Sequence, residues 1–164
     1  MSHHPARKRD RSRTLRGAGP FKLEKWTAGV DMFMIAVRGQ DVLSGVQPDL
    51  SRWEEAFGTA GPRAAYVFSP QGALPAKGFR ARMFAPLLGV PEDPATGSAA
   101  AAFAGMLAVN GALGSGSHEI VIAQGQEMGR PSTIHLEMRV DRERLIACAI
   151  AGYAVIVTQG TLRA

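Results

Sequence analysis

The chain has 164 residues, of which 46% are hydrophobic, and a formal net charge of +5. This length fits one globular domain, since a typical domain has roughly 100 to 200 residues, and it excludes a second full domain. Residues 1–16 hold six Lys or Arg and one Asp, which leaves 13 of the 19 basic and 13 of the 14 acidic residues in a neutral remainder. We therefore expect no nucleic-acid partner.

The basic excess lies in a polar arm, residues 1–20, which precedes one domain over residues 21–164. The arm has no apolar run, so it is neither a secretory signal nor a membrane anchor, and we expect no membrane partner. Its composition predicts disorder, as in a native arm or a tag; an RNA- or membrane-surface arm is the alternative. Cys148 is the single cysteine, which suits a reducing cytoplasm, and we expect it to be a small core residue.

Three strands are predicted in the first half of the domain. VDMFMIAV (residues 30–37) is short and apolar and ends before a turn, and AAYVFSP (residues 64–70) has the same character. In GFRARMFAP (residues 78–86) every second residue is Phe, Ala or Met, and this two-residue period also predicts a strand.

A helix is predicted between the first two of these strands. Asp49 can cap its N-terminus, and Gly58 can end it. Leu50, Trp53 and Phe57 fall on one face at helical spacing, which indicates a covering helix packed on the core.

A second helix is predicted in AAAAFAGMLAV, residues 99–109. It is apolar around its whole circumference, so it must be buried on all sides. Its alanines and Gly105 keep it thin enough for a curved sheet to wrap it closely, and Asn110 and Gly111 end it with a left-handed cap.

The remainder of the chain is predicted to be β-structure. Four segments separated by turns qualify: HEIVIAQGQ, STIHLEMRV, RLIACAI and YAVIVTQGTL. STIHLEMRV alternates apolar and polar residues, so one of its faces should contact water. The predicted fold class is therefore α/β of the α+β type, with seven strands in a mixed sheet around one buried central helix and one covering helix.

One segment combines the features of a binding site. EDPATGS (residues 92–98) lies between a strand and the N-terminus of the buried helix, where free N–H groups stabilise an anion such as a carboxylate. Gly97 lets a ligand approach the backbone, and Thr96 and Ser98 add hydroxyl donors. The structural alternative is that Asp93 or Thr96 only caps the helix.

Three sequence blocks carry a resemblance to a known family: RMFAPLLGVPEDPATGSAAAAFAGML, QGQEMGRPS (residues 124–132) and GYAVIVTQGTL. In this order they resemble the blocks of the PhzF-like (phenazine-biosynthesis) isomerases, and the similarity extends back to about residue 28. The resemblance implies the C-terminal half of a diaminopimelate epimerase-like fold, in which two similar domains enclose a cleft. It also implies a proton shift without a cofactor, with Asp93, Gly97 and Ser98 holding the substrate and its carboxylate.

The resemblance places the family's proton-carrying glutamate in an N-terminal domain that these 164 residues do not include. Asp93 is then the candidate catalytic residue, although hydrogen bonding to the substrate suits it better. Glu92 is expected to point away or to brace the loop. Gln124, Met128 and Arg130 can form the far rim, with Arg130 equally suited to a structural role. No metal-ligand spacing, P-loop or Ser-His-Asp arrangement is visible.

Two functions from different classes follow from these features. The first is half of a cofactor-independent isomerase or epimerase that acts on a small carboxylate-bearing substrate. It would be completed as a homodimer or by a separately encoded N-terminal half. The second is a non-catalytic domain that binds small anions, a remnant of such an enzyme.

Overall fold

The computed structural model describes residues 21–59, 61–72 and 78–162. The predicted basic arm lies outside these ranges, so its disorder stays a prediction. Within the described residues, no helix is both long and apolar enough to cross a membrane.

One mixed sheet of eight strands dominates the described part of the chain. The strands are β1 (Glu24–Thr27), β2 (Asp31–Ala36), β3 (Ala64–Pro70), β4 (Gly78–Ala85), β5 (Val90–Asp93), β6 (Gly116–Gln124), β7 (Ser132–Asp141) and β8 (Arg144–Gly152). Their order across the sheet is β1-β2-β3-β4-β6-β7-β8, with β5 paired to β4 beside this path. Neighbours are antiparallel except for the parallel pairs β2 with β3 and β4 with β6.

In the described ranges three α-helices accompany the sheet: α1 (Gln40–Ser44), α2 (Trp53–Phe57) and α3 (Gly97–Val109). The third is the predicted central helix, and the mixed sheet around one buried helix is confirmed. Eight of its 13 residues are buried, and Phe103 packs edge-on against Phe68 and Phe79 of the sheet. The helix is apolar all round because sheet residues surround it.

The thinness of α3 has the predicted consequence. A Cβ atom on Gly105 would lie 2.9 Å from the ring of Trp26 in β1, so any larger residue there would require this ring to move. The predicted end of the helix is also confirmed. Gly111 has φ +63, and the N–H of Ala112 bonds to the carbonyl oxygen of Leu107 at 3.2 Å.

The opposite face of the sheet carries a smaller apolar cluster under α1 and α2. Asp49 caps a 3-10 turn, Leu50–Arg52, rather than an α-helix, since its carboxylate accepts from the N–H of Ser51 at 3.1 Å. Trp53 is buried as predicted, but Leu50 is 56% exposed because the 3-10 turn rotates it off the buried face. Gly58 ends α2 with φ +79.

The predicted strand count differs from the structure in three places. The four-residue strands β1 and β5 were missed, because neither is long enough to show a period. The segment YAVIVTQGTL, predicted as the last strand, belongs to no sheet. It continues past the end of β8, where Gly152 pairs with Ile134, and reaches no further strand in the described residues.

The prediction for Cys148 was wrong, because this residue is exposed. It pairs with Met138, which is buried, but β8 is the last strand of the sheet and nearly all of its residues are exposed. An apolar run at a sheet edge is covered on fewer sides than the same run in the middle of the sheet.

Candidate functional site

The loop between β5 and α3 is held from behind by a largely buried ion pair. The guanidinium of Arg82 on β4 binds both carboxylate oxygens of Glu92, at 2.8 and 2.9 Å. Its remaining nitrogen donates to the main-chain carbonyl oxygens of Leu43, Ser44 and Val46 at the end of α1. Glu92 therefore braces the loop, which is one of its two predicted roles.

Arg82 stays positively charged in this pair. The hydrogen bond with Glu92 raises the pKa of Arg82, against the opposing effect of burial. Arg80, two residues along β4, binds Glu127. Burial acts to raise the pKa of Glu127, but the hydrogen bond from Ser44, its own backbone and the two guanidiniums together lower it. Glu127 is therefore held ionised, and because arginines bind the carboxylates of both Glu92 and Glu127, neither is a good candidate for a general base.

A second network fixes the carboxylate of Asp93. The hydroxyl of Thr96 donates to Asp93 Oδ2 at 2.7 Å, and the side-chain amide of Gln124 donates to Thr96 Oγ1 at 2.9 Å. The same amide donates to the main-chain oxygen of Asp93 at 2.7 Å. A carbonyl oxygen only accepts, so the amide nitrogen must face the loop, and the Thr96 proton is then committed to Asp93.

The network leaves the start of α3 open. Thr96 occupies the N-cap position, but its side chain makes no capping hydrogen bond because its hydroxyl is turned to Asp93. The simple capping role of Thr96 is thus not what the structure shows. Gly97 is the first residue of the helix, and a Cβ atom added there would meet nothing within 4 Å. The first turn is therefore accessible to a ligand.

A cavity of about 450 Å³ lies beside this helix end. The ends of β7 and β8 form its other walls, and its volume suits a small molecule. It is lined by Ala95, Gly97, Pro131, Ser132, Thr133, Ile134, Ile150, Ala151, Gly152 and Tyr153. This lining contains no Asp, Glu or His.

The predicted site residues are distributed unevenly around this cavity. Gly97 lines it, and Asp93 and Thr96 are joined in the loop behind it. Ser98 is the second residue of the helix and half-buried. Met128 and Arg130 do not line the cavity, so their role at the rim stays a prediction.

The residues of β7 and β8 that line the cavity were not predicted from the sequence. Ser132 and Thr133 begin β7, and Gly152 and Tyr153 mark the end of β8. Ser132 and Gly152 lie within two of the three sequence blocks, which was the one available signal. The blocks do not show that these residues lie beside the N-terminus of α3.

Gly125 places the turn between β6 and β7 against the loop. It has φ +81, and a Cβ atom there would lie 2.3 Å from the carbonyl oxygen of Arg130 and 2.9 Å from that of Pro94. Only glycine allows this approach of two backbones. Among the described residues, no group of three or more His, Cys, Asp or Glu could hold a metal ion.

Comparison with known proteins places these features in context. The family model described as "Phenazine biosynthesis-like protein" matches residues 4–160. The chain is 38% identical over 143 residues to an uncharacterised isomerase of Mesorhizobium japonicum, a match that covers 84% of this chain and 46% of the relative. It is 32% identical over 142 residues to the trans-2,3-dihydro-3-hydroxyanthranilate isomerase of Pseudomonas fluorescens, covering 87% and 48%.

Solved structures show the same fold. A phenazine biosynthesis protein of the PhzF family from Bacillus anthracis superposes with a TM-score of 0.58 at 18% identity, covering 82% of this chain and 49% of that one. A predicted epimerase from Pseudomonas aeruginosa gives a TM-score of 0.50 at 24% identity, covering 88% and 48%. The chain spans about half the length of the curated relatives it matches.

Proposed function

The chain belongs to the phenazine biosynthesis-like protein family, and on that premise we propose that it is the C-terminal half of a cofactor-independent isomerase or epimerase. The reaction would be a proton shift on a small substrate that carries a carboxylate. One relative is named for the isomerisation of trans-2,3-dihydro-3-hydroxyanthranilate, which has such a group. A biosynthetic role in the cytoplasm is part of the proposal.

The open N-terminus of α3 is the observation that carries this proposal. Its first N–H groups have no intrahelical partners and hold roughly half a positive charge. Gly97 exposes them to the cavity, and the Thr96 hydroxyl does not compete because Asp93 accepts its proton. A substrate carboxylate can therefore bind the backbone at Gly97 and Ser98 without any cationic side chain.

Asp93 is the acidic residue proposed to act on the substrate. Glu92 and Glu127 are bound by arginines, whereas the carboxylate of Asp93 accepts from Thr96 and is free of ion pairs within the described residues. Its second oxygen can accept a hydrogen bond from the substrate. Proton abstraction beside a carboxylate needs a general base within hydrogen-bond reach, and Asp93 is this chain's candidate.

A non-catalytic anion-binding role is the second candidate. The observation that favours it is the cavity lining, which holds no acid or histidine. In the catalytic case a second polypeptide must then face the cavity, as a second copy of the chain or as a separately encoded N-terminal half.

Carboxylate binding can be tested on the chain alone. Benzoate is titrated while the amide resonances of Gly97 and Ser98 are followed by NMR. Saturable shifts are expected in the native chain and in Gly114→Val, a control position with open space. They should be lost in Gly97→Val, whose methyl groups occupy the anion's approach. Unchanged binding in Gly97→Val would refute the site.

Solvent-deuterium exchange separates the two candidate functions. An enzyme half should promote exchange into dihydro-hydroxyanthranilate only when its complementary half is present. Without the groups of that half the rate should lose the contribution of general acid–base catalysis, which is about 10²- to 10⁴-fold. Exchange by the isolated chain that is lost in Asp93→Asn would show that this half carries its own base. Binding without exchange in the complete assembly would favour the non-catalytic role.

A further inference from the structure

Strand β8 forms one edge of the sheet and has a neighbouring strand on only one side within the described residues. It is the last strand in the order across the sheet, and eight of its nine residues are exposed. At about 3.3 Å per residue its free side presents main-chain N–H and C=O groups along about 30 Å. Such a row of unpaired groups is a template for another strand.

The residues of β8 do not prevent such pairing. Proteins usually protect a sheet edge with lysine, proline or inward-pointing charges. In RLIACAIAG the first residue, Arg144, is the one charged residue, and there is no proline. Ile146, Cys148 and Ile150 are two positions apart and therefore share one face of the strand. Ile146 is 46% and Ile150 38% exposed, so the edge is apolar as well as open.

The other edge of the sheet, β1, is protected. Its four residues span only about 13 Å, and two of them are charged. Lys25 binds Asp31 at 3.3 Å, and Glu24 accepts from Asn110 at the end of α3 at 3.2 Å. Pairing of β8 with β1 of a second copy would also be head to tail, which forms rings or open fibres, whereas β8 paired with β8 closes as a twofold dimer.

Antiparallel pairing of β8 with its copy has a register in which the side chains match. When the twofold axis passes through Cys148, Ile146 lies opposite the partner's Ile150, and Ala147 lies opposite the partner's Ala149. Large apolar residues then meet each other, and small residues meet small ones. No like charges are opposed, and cross-strand pairs of this kind stabilise a sheet.

This register also brings a charge to the candidate site. Because the strands are antiparallel, the partner's Arg144 lies opposite Gly152 at the other end of β8. Gly152 lines the cavity into which Gly97 opens, and no residue of that lining is charged. A guanidinium beside this cavity would strengthen the binding of a carboxylate at the start of α3, because hydrogen bonds between ionised groups are stronger than neutral ones.

We propose that two copies of the chain pair antiparallel through β8, centred on Cys148, and that each copy contributes Arg144 to the carboxylate site of the other. The two sheets then form one continuous sheet. The contribution of Arg144 rests on the proposed function. The pairing itself rests only on the open edge of β8.

Disulfide cross-linking tests the pairing, since Cys148 is the single cysteine of the chain. Opposite residues of antiparallel strands have Cα atoms about 4.5–5.5 Å apart, a separation that a disulfide can bridge. Diamide, which takes up the two protons and two electrons of a thiol pair, should convert the native chain to a covalent dimer. In Cys148→Ala/Val42→Cys the thiol moves to α1, where Val42 is 50% exposed, and cross-linking should be at least tenfold slower.

The register is tested with two further chains in the Cys148→Ala background. One carries Ala147→Cys and the other Ala149→Cys. The two chains should cross-link when mixed, because these positions lie opposite each other. Each chain alone should react far more slowly, because its thiols are then diagonal neighbours about 7–8 Å apart at Cα. Equal rates in all three samples would show random collision and overturn the proposed register.

Sedimentation velocity measures the dimer without any cross-link. Ile146→Lys places two lysines in the apolar row of each dimer and should raise the dissociation constant at least tenfold. Val42→Lys is the matched control and should leave it unchanged. Thermal unfolding checks that both variants are folded. A monomeric native chain, an unaffected Ile146→Lys dimer, or loss of the dimer in Val157→Asp beyond the end of β8 would each overturn the pairing through β8.

Arg144→Gln tests the contribution to the site. The variant should still form dimers, but benzoate titrated at Gly97 should bind about two- to fivefold more weakly, as expected for a solvent-accessible ion pair. In the Ile146→Lys background the same change should have no effect. Equal affinity of the native and Arg144→Gln dimers would refute this role. Cross-linking is measured without benzoate, so a failed titration leaves the pairing standing, and a monomeric chain leaves the site at Gly97 standing.

Discussion

The side-chain amide of Gln124 donates to the hydroxyl of Thr96 at 2.9 Å, although the two residues are 28 positions apart. Gln124 is fully buried and Thr96 is 6% exposed. The bond joins β6 to the loop before α3 and sets the direction of the Thr96 proton. The rigidity of the candidate site therefore depends on a residue outside the loop.

Replacement of Thr96 with valine tests this link. The change keeps the shape of the side chain but leaves the buried amide of Gln124 and the Asp93 carboxylate each without one partner. An unsatisfied buried group costs about 1–3 kcal/mol, and we expect the free energy of unfolding to fall by that amount in urea titrations. The exposed control Thr59→Val should change it little. Equal effects of both substitutions would contradict the proposed network.

The Arg82–Glu92 pair should matter far more than an exposed pair of the same chemistry. The side chains of Arg82 and Glu92 are 8% and 17% exposed, and Arg82→Met leaves the largely buried Glu92 without this partner. Removal of one partner of a buried pair costs about 3–5 kcal/mol. Arg52→Met breaks a pair with Glu55 in which both side chains are more than half exposed, and should cost under about 1 kcal/mol. Denaturant unfolding compares the two, and similar losses would show that the brace is dispensable.

Two glycines with positive φ distinguish backbone strain from steric collision. Gly125 (φ +81) and Gly129 (φ +67) lie in the same turn, but only Gly125 faces other backbone atoms. Gly129→Ala should cost about 1 kcal/mol, the penalty for alanine in a left-handed conformation. Gly125→Ala adds collisions with Arg130 and Pro94 and should lose several times as much stability, measured by thermal unfolding. Equal losses of stability in the two variants would contradict the close approach of Gly125 to Arg130 and Pro94.

Glu127 should make stability depend on acid pH. Its pKa is lower in the folded chain than its ordinary value of 4.5, so the stabilisation is present above that value. It is lost as the pH falls through the folded pKa. The stability difference between the native chain and Glu127→Gln should therefore shrink below about pH 4.5. Urea unfolding at several pH values measures it, with exposed Glu54→Gln as the control. A difference that does not vary with pH would show that the ion pairs of Glu127 contribute nothing.

Elements whose burial follows from their own residue pattern could be predicted from the sequence. The central helix could be predicted because an apolar circumference over residues 99–109 has no other stable location, and its end because Gly111 adopts a left-handed conformation. The position of EDPATGS at the helix start was predicted in the same way. The solvent-facing side of β7, where polar residues alternate with buried ones, was also predicted from the sequence.

Which distant residues meet depends on the tertiary structure. Periodicity reports how many faces of an element are buried, but it does not identify the segment that buries them. Gln124, Ser132 and Gly152 come to the loop through strand pairing across the sheet, and Cys148 is exposed because β8 ends that sheet. Residues 153–162 have the composition of a strand and are not one here, since a strand is completed by hydrogen bonds to a neighbour that a sequence pattern does not contain.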